Sequence, residues 1–473
     1  MPVLLQRVRA VRSRCPRHNR SLPLTFALPP ACPLPRAFRS SSSVALARRP
    51  QEPRLHAAGA PPRKLSRLQL LAVLVFHYTA HLAGALEDHL LLFGIRMSGS
   101  SLSQRRQSSP WEVFDQLMRL LFQPVARVGD HAEGFFCGLR LVALDGVEFS
   151  LLNTEDINGQ VYRRKTRRGR SAFAKLRCSV MVELMHSNPL AAELARNGES
   201  EWALSLKLLD RVPEHSLVLL DRLYGCPAFL GPLKQVLQAH GGHYLARVKG
   251  QPKVQAVKRT LSDGSRIVEV GLRDPESRSQ IIDRWELREI VVRAQRPGCR
   301  PVTVRLWTSL LDEVQAPARV MAQLYMSRWE QELFFRELKE NTRSGRLLRS
   351  QTLETACQEV AAMLAGMSIL ARERAKLQAG QEPGYKISFR KTWGYLEALW
   401  TVMEVSGHLL SAEQRRQMVE GFAELMRHMR TPKRRDRSCP RAVRKPVQRW
   451  PRKLRQPERL GPIQLEVLST PLG

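Results

Sequence analysis

Two short apolar runs, Leu141-Val-Ala-Leu144 and Ser216-Leu-Val-Leu-Leu220, each end in an aspartate, Asp145 and Asp221, and this constrains the fold more than any other feature. Runs so short and so uniformly apolar suit strands buried on both faces. Further strands are expected over Arg177–Met185 and His243–Lys249, with helical segments around 201–212 and 227–239. That alternation predicts an α/β layer in which neighbouring strands bring their ends together. Singly, each acid says little, because Asp145-Gly146 is also a turn signal and Asp221 could be a cap. Two acids at the ends of adjacent buried strands are a common way to hold Mg²⁺.

The flanking regions differ in period. Arg266–Val270, Trp285–Arg293 and Val302–Thr308 alternate polar with apolar residues, as antiparallel strands with one wet face do. They predict a β insertion within the α/β domain. Residues 67–135 are expected to be helical, with Pro110 opening an amphipathic helix that runs to Phe122. Leu68–Gly84 is too often interrupted by polar residues for a span of ~20 apolar residues, so it is expected as a buried helix and no membrane partner is expected. From 317 to about 428 helices dominate. The expected divisions are a disordered basic tail (1–66), an N-terminal helical domain that could contact DNA (67–135), and the first part of the catalytic domain (136–249). After them come the β insertion (250–307), the second part of the catalytic domain (308–375), C-terminal helices (376–430) and a basic tail (431–473).

Charge narrows the partner. Seventy-six Lys and Arg against 43 Asp and Glu leave a net +33. Such an excess repels itself unless a polyanion neutralises it, and nucleic acid gains most from doing so through counterion release. Residues 1–66 hold thirteen Lys/Arg and eleven Pro with one acid, Glu52, a bias also seen in transit peptides and in translated upstream sequence. The run Arg163–Arg170 is expected as a loop along a DNA backbone, or else as a plain solvated loop. The eight cysteines are scattered with no Cys-x2-Cys pair, so free thiols in a reducing compartment are expected.

A third acid has the most informative surroundings. At ~100° per residue, Tyr325, Arg328, Glu332, Arg336, Lys339 and Arg343 share one helical sector of about 80°. Glu330 and Glu337 fall elsewhere, and Leu324, Phe334, Phe335 and Leu338 form a neighbouring apolar stripe. An Arg328–Glu332 pair could be a surface salt bridge worth ~0.3–0.5 kcal/mol. The row nevertheless holds more cations than one acid can answer, which suits a phosphate backbone passing a metal site. Hard oxygen ligands favour Mg²⁺ or Mn²⁺ over zinc, and a pair of such ions supports phosphodiester transfer.

The spacing Tyr325-x2-Arg328-x3-Glu332-x6-Lys339 resembles the signature of the bacterial insertion-sequence transposases of the DDE class, the group with a β insertion before the catalytic glutamate. Leu144-Asp145-Gly146, Leu220-Asp221-Arg222-Leu-Tyr224 and the basic Arg441-Ala-Val-Arg-Lys445 extend the resemblance over roughly 100–455. It implies a ribonuclease H-like mixed-sheet core with an antiparallel β insertion, flanked by helical N- and C-terminal regions. Asp145, Asp221 and Glu332 would be both catalytic residues and metal ligands, for two Mg²⁺ ions with Mn²⁺ as a substitute. Tyr325, Arg328, Lys339, Arg336 and Arg222 would bind DNA, with Tyr224 assisting. The partners implied are double-stranded DNA, as element terminal inverted repeats and as target, and a second copy of the chain in a synaptic homodimer. The setting implied is the bacterial cytoplasm, on the nucleoid. The family receives a flipped base on an insertion-domain tryptophan, a position that neither Trp285 nor Trp307 matches, and core packing is the more ordinary role for Trp307. Two other readings stay open: a different nuclease of ribonuclease H-like fold, and a non-catalytic DNA-binding descendant.

Overall fold

The two apolar runs pair with each other in parallel, in the register Arg140↔Ser216 through Leu144↔Leu220. Around them a computed structural model builds one mixed sheet. It describes residues 65–467 except 81, 83, 162, 164, 167–168, 251, 278, 296–300, 341, 343–346, 383–384, 432–436, 439–457 and 460–462. The core strands are β1 (Leu139–Ser150), β2 (Lys175–Glu183), β3 (Asn188–Leu194), β4 (Ser216–Leu220) and β5 (His243–Arg247). Their order is β3-β2-β1-β4-β5, antiparallel across β3-β2-β1 and parallel across β1-β4-β5. This is a ribonuclease H-like mixed core, the fold expected from the sequence.

The insertion does not form a sheet of its own. Its strands β6 (Ala256–Thr260), β7 (Arg266–Arg273), β8 (Ile281–Gln295) and β9 (Val302–Thr308) extend the core from the β5 edge in the order β5-β9-β8-β7-β6. The bridging register is Leu306↔Arg247 to Thr308↔Leu245. The C-terminal stretch, expected as a basic tail, contributes β10 (Gln464–Val467), which pairs with Val292–Gln295 of β8. With the short Phe135–Phe136 pair on β1, the sheet has eleven strands.

Helices cover it. The N-terminal group is α1 (Arg67–Thr79), α2 (Leu86–Leu92), α3 (Gly99–Gln107) and α4 (Trp111–Leu121), followed by α5 (Glu155–Gln160), α6 (Glu201–Leu206) and α7 (Pro227–Ala239). Beyond the insertion lie α8 (Ala318–Met326), α9 (Trp329–Glu340), α10 (Leu353–Gln378), α11 (Phe389–Ser406) and α12 (Ala412–Arg427). Helix α10 is buried along nearly its whole length and packs against α1 and α4. Its crossing with α1 needs a glycine, since a Cβ on Gly366 would lie 2.2 Å from Thr79 Cγ2. Among the described residues no helix is long and apolar enough to cross a membrane. Cys137, Cys178, Cys226 and Cys357 are free thiols.

The side-chain alternation of β1 and β4 decides where the acids face. Val142, Leu144, Val218 and Leu220 pack into the α7 side with Leu230 and Leu233, whereas Leu141, Ala143, Leu217 and Leu219 pack with Met321 and Ala322 of α8. The next position in each strand returns to the α8 side. Asp145 and Asp221 therefore stand side by side beyond the Leu144↔Leu220 pair, on the face that α8 and α9 cover.

Candidate active site

The helix bearing Tyr325, Arg328 and Glu332 is broken, not continuous. After α8 the chain tightens into a turn at Ser327–Arg328, with Arg328 N–H donating to Tyr325 O at 3.2 Å and Gln331 N–H to Arg328 O at 3.0 Å, before α9 begins. These i→i−3 bonds advance the chain somewhat further per residue than an α-helix does. The side chains still reach one place. Arg328 Nη2 donates to Glu332 Oε1 at 2.7 Å, and its Nη1 lies 3.3 Å from Asp145 Oδ2, so a single guanidinium joins two of the three expected carboxylates.

Helix α9 is seated by the apolar stripe read from the sequence. Phe334 and Leu338 are fully buried in the cluster that holds Val147, Phe149 and Val180, and Gln331 Nε2 donates to Val180 O at 3.0 Å. Glu330 faces away, accepting the Met185 amide and pairing with Lys386 at 2.7 Å. Glu337 is half-buried near Arg374, and desolvation pushes its carboxyl up.

Burial dominates Asp145 too, pushing its carboxyl up to about 6. The Gly146 amide, bonded to Oδ1 at 2.9 Å, and Arg328 pull it back, while Glu201 and Asp221 push it further up. The Tyr325 hydroxyl donates to Leu220 O at 3.3 Å, directly before Asp221, and burial holds its phenol up at about 12 against the pull of Arg328 and Arg247.

The remaining candidates scatter. Lys339 lies with its ammonium 5.8 Å from the centre of the Phe149 ring, Arg336 is exposed beside Glu340 at 4.0 Å, and Arg222 is exposed in the turn after Asp221. Arg222 also lines a cleft of about 780 Å³ next to Asp221, with Lys249, Lys253, Arg273 and Trp307. Tyr224, expected to assist in binding DNA, has no exposed surface. Its hydroxyl donates to Glu201 Oε1 at 2.8 Å. Trp307 packs in the core as expected, its indole donating to Glu289 at 3.3 Å, and Trp285 lies under Lys234. In the basic run, Arg163 is tied to Asn153 at 2.7 Å; Arg164, Arg167 and Arg168, like Arg343 and Arg441–Lys445, lie outside the described residues.

Sequence reading missed Glu201 and Arg247. Glu201 looks like an ordinary first-turn acid behind the Ser200 cap, and Arg247 like a strand-end cation. Only the long-range pairing of the sheet brings them here. The donor set of Asp145, Asp221 and Glu332 is all oxygen and suits a hard divalent cation. Among the described residues, no three His, Cys, Asp or Glu side chains already converge as ligands, and Arg328 stands between two of the acids.

Strand-end aspartates on a ribonuclease H-like sheet, faced by a glutamate helix reached through a β insertion, define a DDE-type phosphoryl-transfer domain. The family described as "Transposase DDE domain" matches residues 137–367. The chain is 25% identical over 361 residues to transposase InsG for insertion sequence element IS4 of Escherichia coli (strain K12), covering 74% of this chain and 78% of that one. Both matches support a DDE-class insertion-sequence transposase, a family that generally uses divalent metal ions. Among solved structures, a piggyBac transposase synaptic complex with hairpin DNA is similar at 9% identity and a TM-score of 0.39, over 76% of this chain and 74% of that one.

Proposed function

We propose that this transposase cleaves the ends of a mobile DNA element and joins them to target DNA, with Asp145, Asp221 and Glu332 holding two Mg²⁺ ions that Mn²⁺ can replace. The observation that carries the reading is the Leu144↔Leu220 register, together with Arg328 joining Asp145 to Glu332. Bound ions would activate the attacking water or 3′-hydroxyl and stabilise charge on the oxygens of the displacement. The chain's own residues do the rest. Gly146 N–H holds one oxygen of Asp145 and leaves the other directed at Arg328. Arg328 neutralises two acids that would otherwise repel, and a DNA phosphate arriving at the site offers its guanidinium a better bidentate partner. Tyr325 stays protonated at working pH and so acts as a donor to a phosphate oxygen, not as a base. Arg336, Lys339 and Arg222 would continue the phosphate track, and the handling of two element ends calls for a homodimer.

The full chain, Mg²⁺ and a linear DNA carrying the gene with its flanking sequence would provide the test. The expected products are nicks at the element boundaries and their joining to a second DNA. Glu332→Gln is expected to bind DNA and not nick it; undiminished nicking by that variant would overturn the assignment. Cleavage of any DNA without joining would favour a plain nuclease of the same fold.

A further inference from the structure

Behind the aspartate pair, on the opposite face of the sheet, lies a chain of polar side chains that the reading above leaves unused. Gly146 is the first link. It follows Asp145 in β1 and so faces the other side, where a Cβ would lie 2.2 Å from Glu201 Cδ. Only glycine at this position lets the Glu201 carboxylate lie against the strand. The second link is Tyr224, which closes the turn after β4 by donating its amide to Asp221 O at 3.0 Å. Its hydroxyl donates to Glu201 Oε1 at 2.8 Å and accepts from Ser205 at 3.1 Å. Ser205 in turn shares a 2.7 Å hydroxyl pair with Ser179, which lies opposite Gly146 in the β1–β2 register.

The relay thus closes a loop through β2, α6, the Asp221 turn and β1. A phenylalanine would fill the Tyr224 site without burying a hydroxyl, which is costly unless its hydrogen bonds are made. Here they are made, and both ends of the relay sit on the backbone that carries an expected metal ligand. We infer that Glu201 and Tyr224 are positioning residues that fix the spacing of Asp145 and Asp221 from behind the sheet. The inference rests on assigning those two aspartates to the cation site. It gives Tyr224 a structural reason to follow Asp221 by three positions, in place of a contact with DNA.

The test is Mn²⁺ binding to the full chain without DNA, followed by electron paramagnetic resonance, alongside the Mg²⁺ concentration that half-activates nicking. Loss of such an outer partner of a metal site costs on the order of 10-fold in affinity. Tyr224→Phe and Glu201→Ala are each expected to weaken Mn²⁺ binding by about that factor, and to raise the half-activating Mg²⁺ in step, with metal-free DNA binding unchanged. Glu201→Gln, whose amide oxygen still accepts the tyrosine hydroxyl, is expected to recover most of the loss. Phe229→Leu perturbs the ring packed on Tyr224, 4.8 Å between centroids, and leaves the relay alone. Wild-type Mn²⁺ affinity in Tyr224→Phe and Glu201→Ala would overturn the inference, as would an equal loss in Phe229→Leu. Asp145→Asn separates the two levels: if it binds Mn²⁺ as the wild type does, the cation-site assignment falls, not the relay alone.

Discussion

In the insertion, Glu289 accepts from Arg266, from Arg305 at 2.7 Å and from the Trp307 indole at 3.3 Å, so one acid has three donors. At the strand ends the ratio inverts, and two acids, Asp145 and Glu332, share the guanidinium of Arg328. Glu289 is 1% exposed at its side chain, whereas Asp145 and Glu332 are 21% and 41% exposed. Nearby, Arg288 is wholly buried and equally answered, by Asp263, by Ser265 at 2.7 Å and by Ala316 O at 2.5 Å. A buried charge with every partner in place is costly to strip of one and has no capacity left for a ligand. Acids sharing one cation at an open edge keep that capacity.

The sharpest way to break the comparison is to exchange the consequences of losing one acid. Asp145→Asn is expected to lower strand cleavage on the order of 10³-fold, equivalent to about 4 kcal/mol of barrier, and to leave the protein folded. Glu289→Gln is expected to do the reverse. It strands two guanidiniums in the sheet and should cost about 3 kcal/mol of stability, read by denaturant unfolding, with cleavage retained where the protein is folded. A stable Glu289→Gln protein, or an unfolded Asp145→Asn one, would remove the distinction.

Much of this contrast could be read from residue order, and the rest could not for specific reasons. The apolar runs before Asp145 and Asp221 announced buried strands, and the Phe334–Leu338 stripe announced how α9 seats. Alternation marked the insertion strands, but no local pattern says that β9 pairs with β5 across some sixty residues and so continues the core sheet. The turn at Ser327–Arg328 escaped because neither residue breaks a helix, and the few i→i−3 bonds there barely move the side chains off their shared face. Strand β10, Gln464-Leu-Glu-Val467, is too short for its alternation to stand out from a basic tail. Glu201 and Tyr224 carry no local signal, because what matters is a contact between residues 23 positions apart.

A smaller effect sharpens the same contrast through pH. The Asp145 carboxyl is raised from 3.8 to about 6, so between those values the folded state keeps a proton that the unfolded chain has released. Its stability contribution is present at low pH and is lost as pH rises through about 6. Burial alone would push Glu289 up as well, but the bonds from Arg266 and Arg305 outweigh it and hold its carboxyl below the usual 4.5. Its contribution is present above 4.5 and is lost as pH falls through the folded value. Unfolding in EDTA between pH 4 and 7 should therefore show Asp145→Asn gaining on the wild type by on the order of 2 kcal/mol as pH rises. Glu289→Gln should gain on the wild type only as pH falls. Parallel curves for the two variants would break the comparison.

The smallest effect asks whether Arg328 changes partner. If its guanidinium passes from the acids to a phosphate, it contributes about one counterion to the salt dependence of DNA binding, a slope of about 0.9 per contact. Arg328→Ala should then flatten that slope by about 0.9, which between 50 and 200 mM salt changes the affinity ratio roughly 3.5-fold. Ca²⁺ in the assay would occupy the acids without supporting chemistry. Arg305, committed to Glu289 and 11% exposed, is the matched control, and Arg305→Ala should leave the slope alone at a temperature where it is folded. Omitting Ca²⁺ gives the discriminating condition. With the acids bare, Arg328 is held by two carboxylates, and the slope difference between wild type and Arg328→Ala should shrink. A difference that persists undiminished without a divalent ion would mean that Arg328 reaches DNA whether or not the acids are filled, and that its bridge to Asp145 and Glu332 does not compete with substrate.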